Sequence, residues 1–473
     1  YRTAAENPAR EFRALNYTGL QWNRNVRFLE GDSQTVVVNL RNGCFAKIYT
    51  RARKAIDRLL EGETEESLAL TEGELSALRS TVRQMTDEDY LYDSETASRT
   101  KELSFKVDRR GYLLRPRIAY YSASDRCNLS CPFCYAEPKR RTEPYRGDTR
   151  RSRDIIDRLA GLNVRFIIMS GGEPMLRTDL PKLVSHATGH GLAVAMITNG
   201  TLVGLAEARE LVEAGMSSVQ VSIESAHARE HDAVRGSGTF DRSVRAVRHF
   251  RNAGLSREQV VVTTTTTKET MAAIDDYYEF AERIGASASF SFYQPVGRAR
   301  HLDGDNCPSE QAMLEWMRNR LIRGRHRAQK MAGPEPQEAR CIFDVKIANC
   351  CSMGFTTLAV REDGDIVPCH LFLSQGGFGL GNICREGTVD RLVRFVNSLP
   401  TVDNIEGCRE CNVRYFCHNG CWANTYWSHG TFTARNPYCG FFKRFWSAII
   451  WNLGRKDEPD AIIDALGSCL AEV

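Results

Sequence analysis

The octet Cys127-Asn-Leu-Ser-Cys131-Pro-Phe-Cys134 constrains this chain more than any other stretch. Three thiols at C-x3-C-x2-C spacing follow directly on an apolar segment, Ile118-Ala-Tyr-Tyr121. Three cysteines in one short loop can ligate three irons of a [4Fe–4S] cluster and leave the fourth iron open to a ligand. A closed zinc site needs a fourth Cys or His nearby, and neither type follows until His186. The spacing therefore predicts a cluster whose open iron binds a substrate or cofactor, rather than three unrelated buried thiols.

At 473 residues the chain has room for several domains and a large core. Hydrophobic residues at 42% and charged residues at 26% describe an ordinary soluble globular protein. A net charge of +4 is too small to argue for nucleic acid. No apolar run is long enough for a transmembrane helix. The polar start, Tyr1-Arg-Thr-Ala-Ala-Glu-Asn-Pro8, is not a signal peptide and reads as a trimmed terminus. The expected location is cytoplasmic. The chain has 16 cysteines, three within 127–134 and ten within 341–439. A disulfide framework belongs to short secreted domains, so metal or catalysis is the better reading.

Residues 1–25 are polar and carry no motif. Asn25-Val-Arg-Phe28, a Gly31-Asp-Ser33 turn and Thr35-Val-Val-Val-Asn-Leu40 read as strands. Asn42-Gly43 is a hairpin turn leading into Cys44-Phe-Ala-Lys-Ile48. Thr50 is expected to cap a helix over 51–60 with Ala55, Leu59 and Leu60 inward. A second helix is expected over 71–85, with Glu72 and Glu74 in its first turn. Three short strands followed by helices make a winged-helix-like module. Residues 99–116 are charged and read as a linker, which gives expected boundaries of 1–108, 109–305 and 306–473.

Beyond residue 113 strands and helices alternate. Strands are expected at 117–122, 164–170, 192–198, 217–223, 259–266 and 287–292. Helices are expected near 150–161, 178–190, 203–214, 239–253 and 271–285. Such repeats imply a parallel sheet. Six units suit a partial (β/α)6 TIM-like barrel, an α/β fold with its chemistry at the C-terminal strand ends. The motifs fall there. Ser170-Gly-Gly-Glu-Pro174 ends the second strand; its glycines permit close backbone approach to a ligand, and Glu173 offers a carboxylate to an ammonium. Ile197-Thr-Asn-Gly200 ends the third. Val221-Ser-Ile-Glu-Ser225 ends the fourth, where Ser222 and Glu224 share one strand face. The threonines of 263–267 suit a strand by β-branching. Gln294-Pro-Val-Gly-Arg-Ala299 follows the sixth.

The octet, with Phe133 before its third Cys, and the Gly-Gly-Glu one unit later resemble the radical S-adenosylmethionine (SAM) superfamily. The resemblance implies that Cys127, Cys131 and Cys134 hold a SAM-binding [4Fe–4S] cluster flanked by Phe133 and Tyr135. It implies that Ser170, Gly171, Gly172 and Glu173 receive the SAM amino group, and that Asn199, Ser222, Glu224 and Arg235 line the rest of SAM. Val296 packs either on adenine or on the protein's own core. His231 and Asp232 read as helix caps. The N-terminal layout resembles the recognition element of maturases of ribosomally made peptides, where a leader peptide adds a strand to an exposed edge. A purely structural cap is the plainer alternative.

A second thiol field follows. It comprises Cys351, a hairpin turning at Asp363-Gly364, Cys369, Gly379-Leu-Gly-Asn-Ile383, then Cys408-x2-Cys411-x5-Cys417-x3-Cys421 and Cys439. These spacings resemble the SPASM domain, a cysteine-rich auxiliary iron–sulfur domain. The resemblance implies two auxiliary [4Fe–4S] clusters. One would use Cys408, Cys411, Cys417 and Cys439. The other would use Cys351, Cys369 and Cys421, with Cys341 or Cys350 as its fourth ligand. Neighbours Cys350 and Cys351 diverge if extended, which favours Cys341. A zinc ribbon would not need so many thiols. Cys44, Cys307, Cys384 and Cys469 read as buried thiols. The tail predicts a helix over 441–453 with Phe442, Trp446, Ile449, Ile450 and Leu453 inward.

Together the resemblances imply an oxidoreductase in which SAM-derived radical chemistry removes hydrogen from a substrate and the auxiliary clusters take up the remaining electron. The cofactor supplies the reactivity, and the protein binds and orients. An external flavodoxin- or ferredoxin-type donor is implied. The expected substrate is a ribosomally made precursor peptide, its leader on the N-terminal module, oxidised to a side-chain cross-link (C–C, ether or thioether). Formylglycine formation, small-molecule dehydrogenation and a non-enzymatic electron carrier are the alternatives. Sulfatase maturases carry Asp directly after the hairpin Cys; here that residue is His370, a candidate base or a satisfied histidine. Two basic runs, 139–154 and 318–330, read as solvated faces or as a funnel for an acidic peptide. Few aromatics interleave with them, so nucleic acid is not expected as a partner, nor is a membrane.

Overall fold

The structure is a computed structural model that describes residue 17 and residues 19–40, 43–93, 116–302, 306–331, 347–375, 377–453 and 458–471. Three consecutive β-branched residues, Val36, Val37 and Val38, are fully buried. They form the centre of β3 (Gln34–Asn39), which lies between β2 (Val26–Glu30) and β4 (Cys44–Tyr49) in an antiparallel sheet. Side chains alternate across a strand, so this run serves two cores. Val37 packs on α1 (Thr50–Leu60) and α2 (Glu72–Asp87), while Val36 and Val38 join the core of the cysteine-rich region.

The helices start close to where the sequence places them. Thr71 and Glu74 form a reciprocal capping box at α2. Thr50, however, is the first helical residue of α1; Tyr49 occupies the cap position with no side-chain cap. Ile56 joins Ala55 and Leu59 inside, and Leu60 is only half-buried. A ribbon of β1 (Leu20–Trp22) and β5 (Leu91–Asp93) adds to this unit. Those strands are too short for a readable alternation.

The central sheet contains β6 (Ile118–Ser124), β9 (Phe166–Gly171), β10 (Ala193–Thr198), β11 (Met216–Ser222), β12 (Val260–Thr266) and β13 (Ser287–Phe292). All are parallel and adjacent in chain order. Helices Thr149–Gly161, Leu180–Gly189, Leu205–Glu213, Thr239–Asn252 and Ile274–Arg283 connect them. This is the mixed α/β fold that the repeats predict. The sheet also continues past β6. β14 (Thr357–Val360) pairs parallel to β6, and β15 (Ile366–Val367) pairs antiparallel to β14. The hairpin turning at Gly364, whose φ is +92°, thus forms as predicted but extends the barrel sheet.

The late helix runs Cys439–Ile450 and buries Phe441, Phe445, Ala448, Ile449 and Ile450. Phe442 and Trp446, predicted inward, are half-buried. The helix joins one core with helices Glu310–Met331 and Glu458–Ala471, and this turns its buried stripe by one residue. Among the described residues, no helix is long and apolar enough to cross a membrane. The N-terminal unit docks beside this helix. Lys47 Nζ donates to the carbonyls of Ile450 (3.3 Å) and Trp451 (3.2 Å), and Phe45 meets Phe416 edge-on.

Behind the strand ends, the buried Arg177 guanidinium donates to both Asp179 oxygens (2.9 and 2.7 Å), to the Ala123 carbonyl and to Ser152 Oγ. It ties β6 to the first two helices of the repeat. Removing one partner of a buried pair leaves an uncompensated charge. Arg177→Leu should therefore cost about 3–5 kcal/mol in urea denaturation, and adding Asp179→Asn should recover part of that loss.

Candidate active site

The thiol loop is fastened to the end of the second barrel strand by backbone. The Gly172 amide donates to the Ser124 carbonyl and the Glu173 amide to the Arg126 carbonyl, both at 2.7 Å. Gly171 has φ +114°, and a Cβ there would strike Ser122 and Ser124; one at Gly172 would strike the Arg126 carbonyl. The glycine pair is thus required by close approach to the backbone leading into the thiol loop, and not by approach to a ligand as its sequence context suggests. β7 (Arg126–Cys127) then pairs with β8 (Lys139–Arg140), steadying Cys127. On the far side, Gly297 (φ +60°) lies against the Cys134 and Tyr135 carbonyls, and the Arg298 amide donates to the Cys134 carbonyl at 3.0 Å.

Cys127 and Cys131 are buried and Cys134 half-buried, close enough together to perturb one another. Burial, with Glu173 beside it, pushes the Cys127 thiol up to about 12, so ligation to iron must displace a proton. Burial pushes the Cys131 thiol up as well, and Arg235 and Arg298 only partly oppose that shift.

Glu173 is fully buried. Its carboxylate accepts from Thr198 Oγ1 (2.7 Å), the Met175 amide (3.0 Å) and the Asn199 amide (2.8 Å). Burial pushes its pKa up. Asn199 Nδ2 donates to Asn128 Oδ1 (2.9 Å), and Asn128 donates to Thr201 (2.8 Å). Asn128 lies inside the octet, yet its role is invisible without its partners. Ser170 is buried on β9, and Ser222 is half-buried at the end of β11.

Glu224 accepts from Arg235 (2.8 and 2.5 Å) and from the Thr265 amide (2.8 Å), and Thr264 Oγ1 donates to its carbonyl. The threonine run therefore positions Glu224 as well as supplying β-branching. Asp232 accepts from the Gly238 and Phe240 amides and so caps the next helix as expected. His231 does not cap. Its Nδ1 accepts from the Glu224 amide at 3.1 Å. Phe133, Glu224, Thr264, Thr265 and Tyr277 line a cavity of about 380 Å3 beside the thiols. Val296 is 1% exposed, enclosed by protein.

Tyr135 and His370 meet edge to face at 5.5 Å, and His370 stacks on Tyr120 at 4.3 Å. Nδ1 of His370 is buried without a hydrogen-bond partner, so the ring is not a satisfied histidine, and burial pushes it down to about 4.

In the second thiol field, Cys408, Cys411, Cys417 and Cys439 come together as one neighbourhood. Cys351, Cys369 and Cys421 form another. Gln294, at the end of the barrel, lies 3.4 Å from Cys421 Sγ. Cys341 lies outside the described residues. Cys350 is buried, Cys44 is exposed, and Cys307, Cys384 and Cys469 are half-buried, so the expectation of four buried thiols fails. Among the described residues only Asp157, His186 and His190 place three donor atoms within 4.8 Å of one another. Thiolates on one tetrahedral zinc stand ~3.8 Å apart. The wider cysteine groups fit sulfurs on separate irons of a cluster.

Residues 121–281 match the family profile of the Radical SAM superfamily. That stretch is a radical SAM domain, the domain of enzymes that use S-adenosylmethionine and a [4Fe–4S] cluster. The mycofactocin maturase MftC of Mycolicibacterium smegmatis is 27% identical over 322 residues, 66% of this chain and 80% of that protein. An AdoMet-dependent heme synthase of Oleidesulfovibrio alaskensis is 28% identical over 351 residues, 69% of this chain and 88% of that protein. Streptococcus suis SuiB superposes with TM-score 0.55 at 15% identity, covering 88% of this chain and 99% of SuiB. Native anSMEcpe with bound AdoMet superposes with TM-score 0.55 at 18% identity, covering 75% of this chain and all of that one. At these identities the two structures share the fold.

Burial, with Arg235 nearby, pushes His231 down to about 4, against about 6.5 in an unfolded chain. Between these values the unfolded state binds the extra proton, so stability falls as pH drops from about 6.5 toward 4, by up to ~3 kcal/mol. His231→Asn should flatten that slope in urea denaturation at pH 7 and pH 5.

Proposed function

We propose that this enzyme oxidises a ribosomally made precursor peptide and forms a side-chain cross-link in it. The observation that carries the reading is the N-terminal sheet. Among the described residues, β2 and β4 each have β3 as their only strand neighbour, leaving outer edges for a peptide strand. The same unit is packed on the cysteine-rich region through Val36, Val38, Phe45 and Lys47. Two similarities support it: the sequence relative named a mycofactocin maturase, and SuiB, which has also been solved bound to its precursor peptide SuiA. An external flavodoxin- or ferredoxin-type donor belongs to the same proposal.

Cys127, Cys131 and Cys134 would hold the SAM-binding cluster, with Phe133 and Tyr135 flanking it. Bound there, SAM and the cluster supply the radical that abstracts hydrogen. Glu173 keeps lone pairs beyond its three protein donors, enough to receive an ammonium. Arg235 neutralises Glu224 and turns its remaining donors toward a carboxylate, while Ser222 and Glu224 face ribose hydroxyls. Cys408, Cys411, Cys417 and Cys439 would hold one auxiliary [4Fe–4S] cluster. Cys351, Cys369 and Cys421, with Cys341, would hold the other. His370, packed against Tyr120 and Tyr135, would lie beside the second of these clusters through its neighbour Cys369.

A small-molecule reading draws on the similarity to the heme synthase. Substrate assays separate the two. A short open reading frame beside this gene would encode the candidate peptide. With reduced, cluster-loaded enzyme and SAM, that peptide should lose hydrogen mass as 5′-deoxyadenosine accumulates, and Cys131→Ala should abolish both. Deoxyadenosine without a peptide product, together with turnover of a porphyrin, would move the assignment to the small molecule.

Peptide binding has its own readout. Amides of β2 or β4 should gain protection from hydrogen exchange when the leader peptide is added. Unchanged exchange on both strands at saturating peptide would refute the recognition role.

A further inference from the structure

We propose that Asp157, His186 and His190 form a metal site separate from the cysteine clusters, for a divalent ion of the nickel or zinc class, on the outer helical layer. His186 and His190 are one turn apart at the C-terminal end of helix Leu180–Gly189, where residues i and i+4 share a face. Asp157 reaches across from helix Thr149–Gly161. The two imidazole Nε2 atoms converge on the same carboxylate oxygen, at 2.6 Å from His186 and 2.8 Å from His190.

Three features favour an ion over a plain hydrogen-bonded trio. First, the donor set matches the metal: two imidazoles and a carboxylate suit zinc and nickel. An ion bound at ~2.0–2.1 Å wants donors ~3.3 Å apart, so the two contacts to Asp157 need to open by about 0.5–0.7 Å. Second, the histidines cap the negative end of a helix dipole, which favours a cation. Third, the site opens onto a cleft of about 720 Å3 where Arg153 and Lys182 are balanced by Glu210 and Glu213, so Asp157 leaves a net negative charge at the donors. The side chains are 24–46% exposed, so an ion enters without unfolding.

A bound ion would join the helix that follows the thiol loop to the helix that follows Glu173. The site is independent of the radical chemistry, and neither histidine nor Asp157 touches the candidate active site.

The test is calorimetric titration of NiCl2 into anaerobic, cluster-loaded enzyme in a non-coordinating buffer. The wild type should show a saturable site, and His186→Ala/His190→Ala should lose it. Asp157→Asn should weaken it roughly tenfold, in line with loss of one ligand or its orienting partner. SAM cleavage by the double variant should equal that of the wild type. Identical titrations for wild type and double variant, or no saturable binding by the wild type, would overturn the proposal. If the double variant fails to fold, the wild type still decides. Nickel should protect His186 and His190 from diethyl pyrocarbonate, read by peptide mass spectrometry, and equal modification with and without nickel would overturn it.

Discussion

Two backbone hydrogen bonds, from the Gly172 and Glu173 amides to the carbonyls of Ser124 and Arg126, hold the candidate site together. They require that neither Gly171 nor Gly172 carry a Cβ, because the two strand-end loops touch along their main chains. Once that contact is made, Cys127 is fixed relative to Glu173. Glu173 in turn orders the next strand end through Thr198 and Asn199, and Asn199 reaches back to Asn128 in the thiol loop. The grip closes on itself, so a shift in one loop is opposed by the others.

The cysteine-rich region is built into the barrel rather than hung from it. β14 continues the barrel sheet from β6. At the hairpin turn, Glu362 accepts from the Asp125 amide (2.9 Å) and the Tyr145 hydroxyl (3.3 Å), two residues beside the thiol loop. Gln294 meets Cys421, and His370 is clamped between Tyr120 and Tyr135. The N-terminal sheet lends Val36 and Val38 to the same core. Thiol groups far apart in sequence are therefore held by a continuous packed body, and close-packed interiors resist relative movement.

Much of this was legible beforehand. The six barrel strands are marked by short stretches rich in apolar or β-branched residues that recur between helical segments, and such local signals survive without tertiary context. The octet and the Gly-Gly-Glu turn were legible from local spacing, and the grouping of the late thiols from the resemblance to the SPASM domain. The misreadings share one cause. Thr50 as a cap, His231 as a cap, the inward stripe of the 439–450 helix and the burial of Cys44 each depend on what packs against the residue. The threonine run looked bland because the Glu224 it supports approaches from another strand.

The sequence by itself determined a strand–helix repeat with thiols and carboxylates at the strand ends, since both properties are local in the chain. Only the tertiary structure decided that β14 extends the barrel, that one valine run serves two cores, and that His186 and His190 face Asp157. Those pairings join distant segments across strand edges and helix faces. Their stability comes from hydrogen bonds and buried surface that exist only after both partners have arrived.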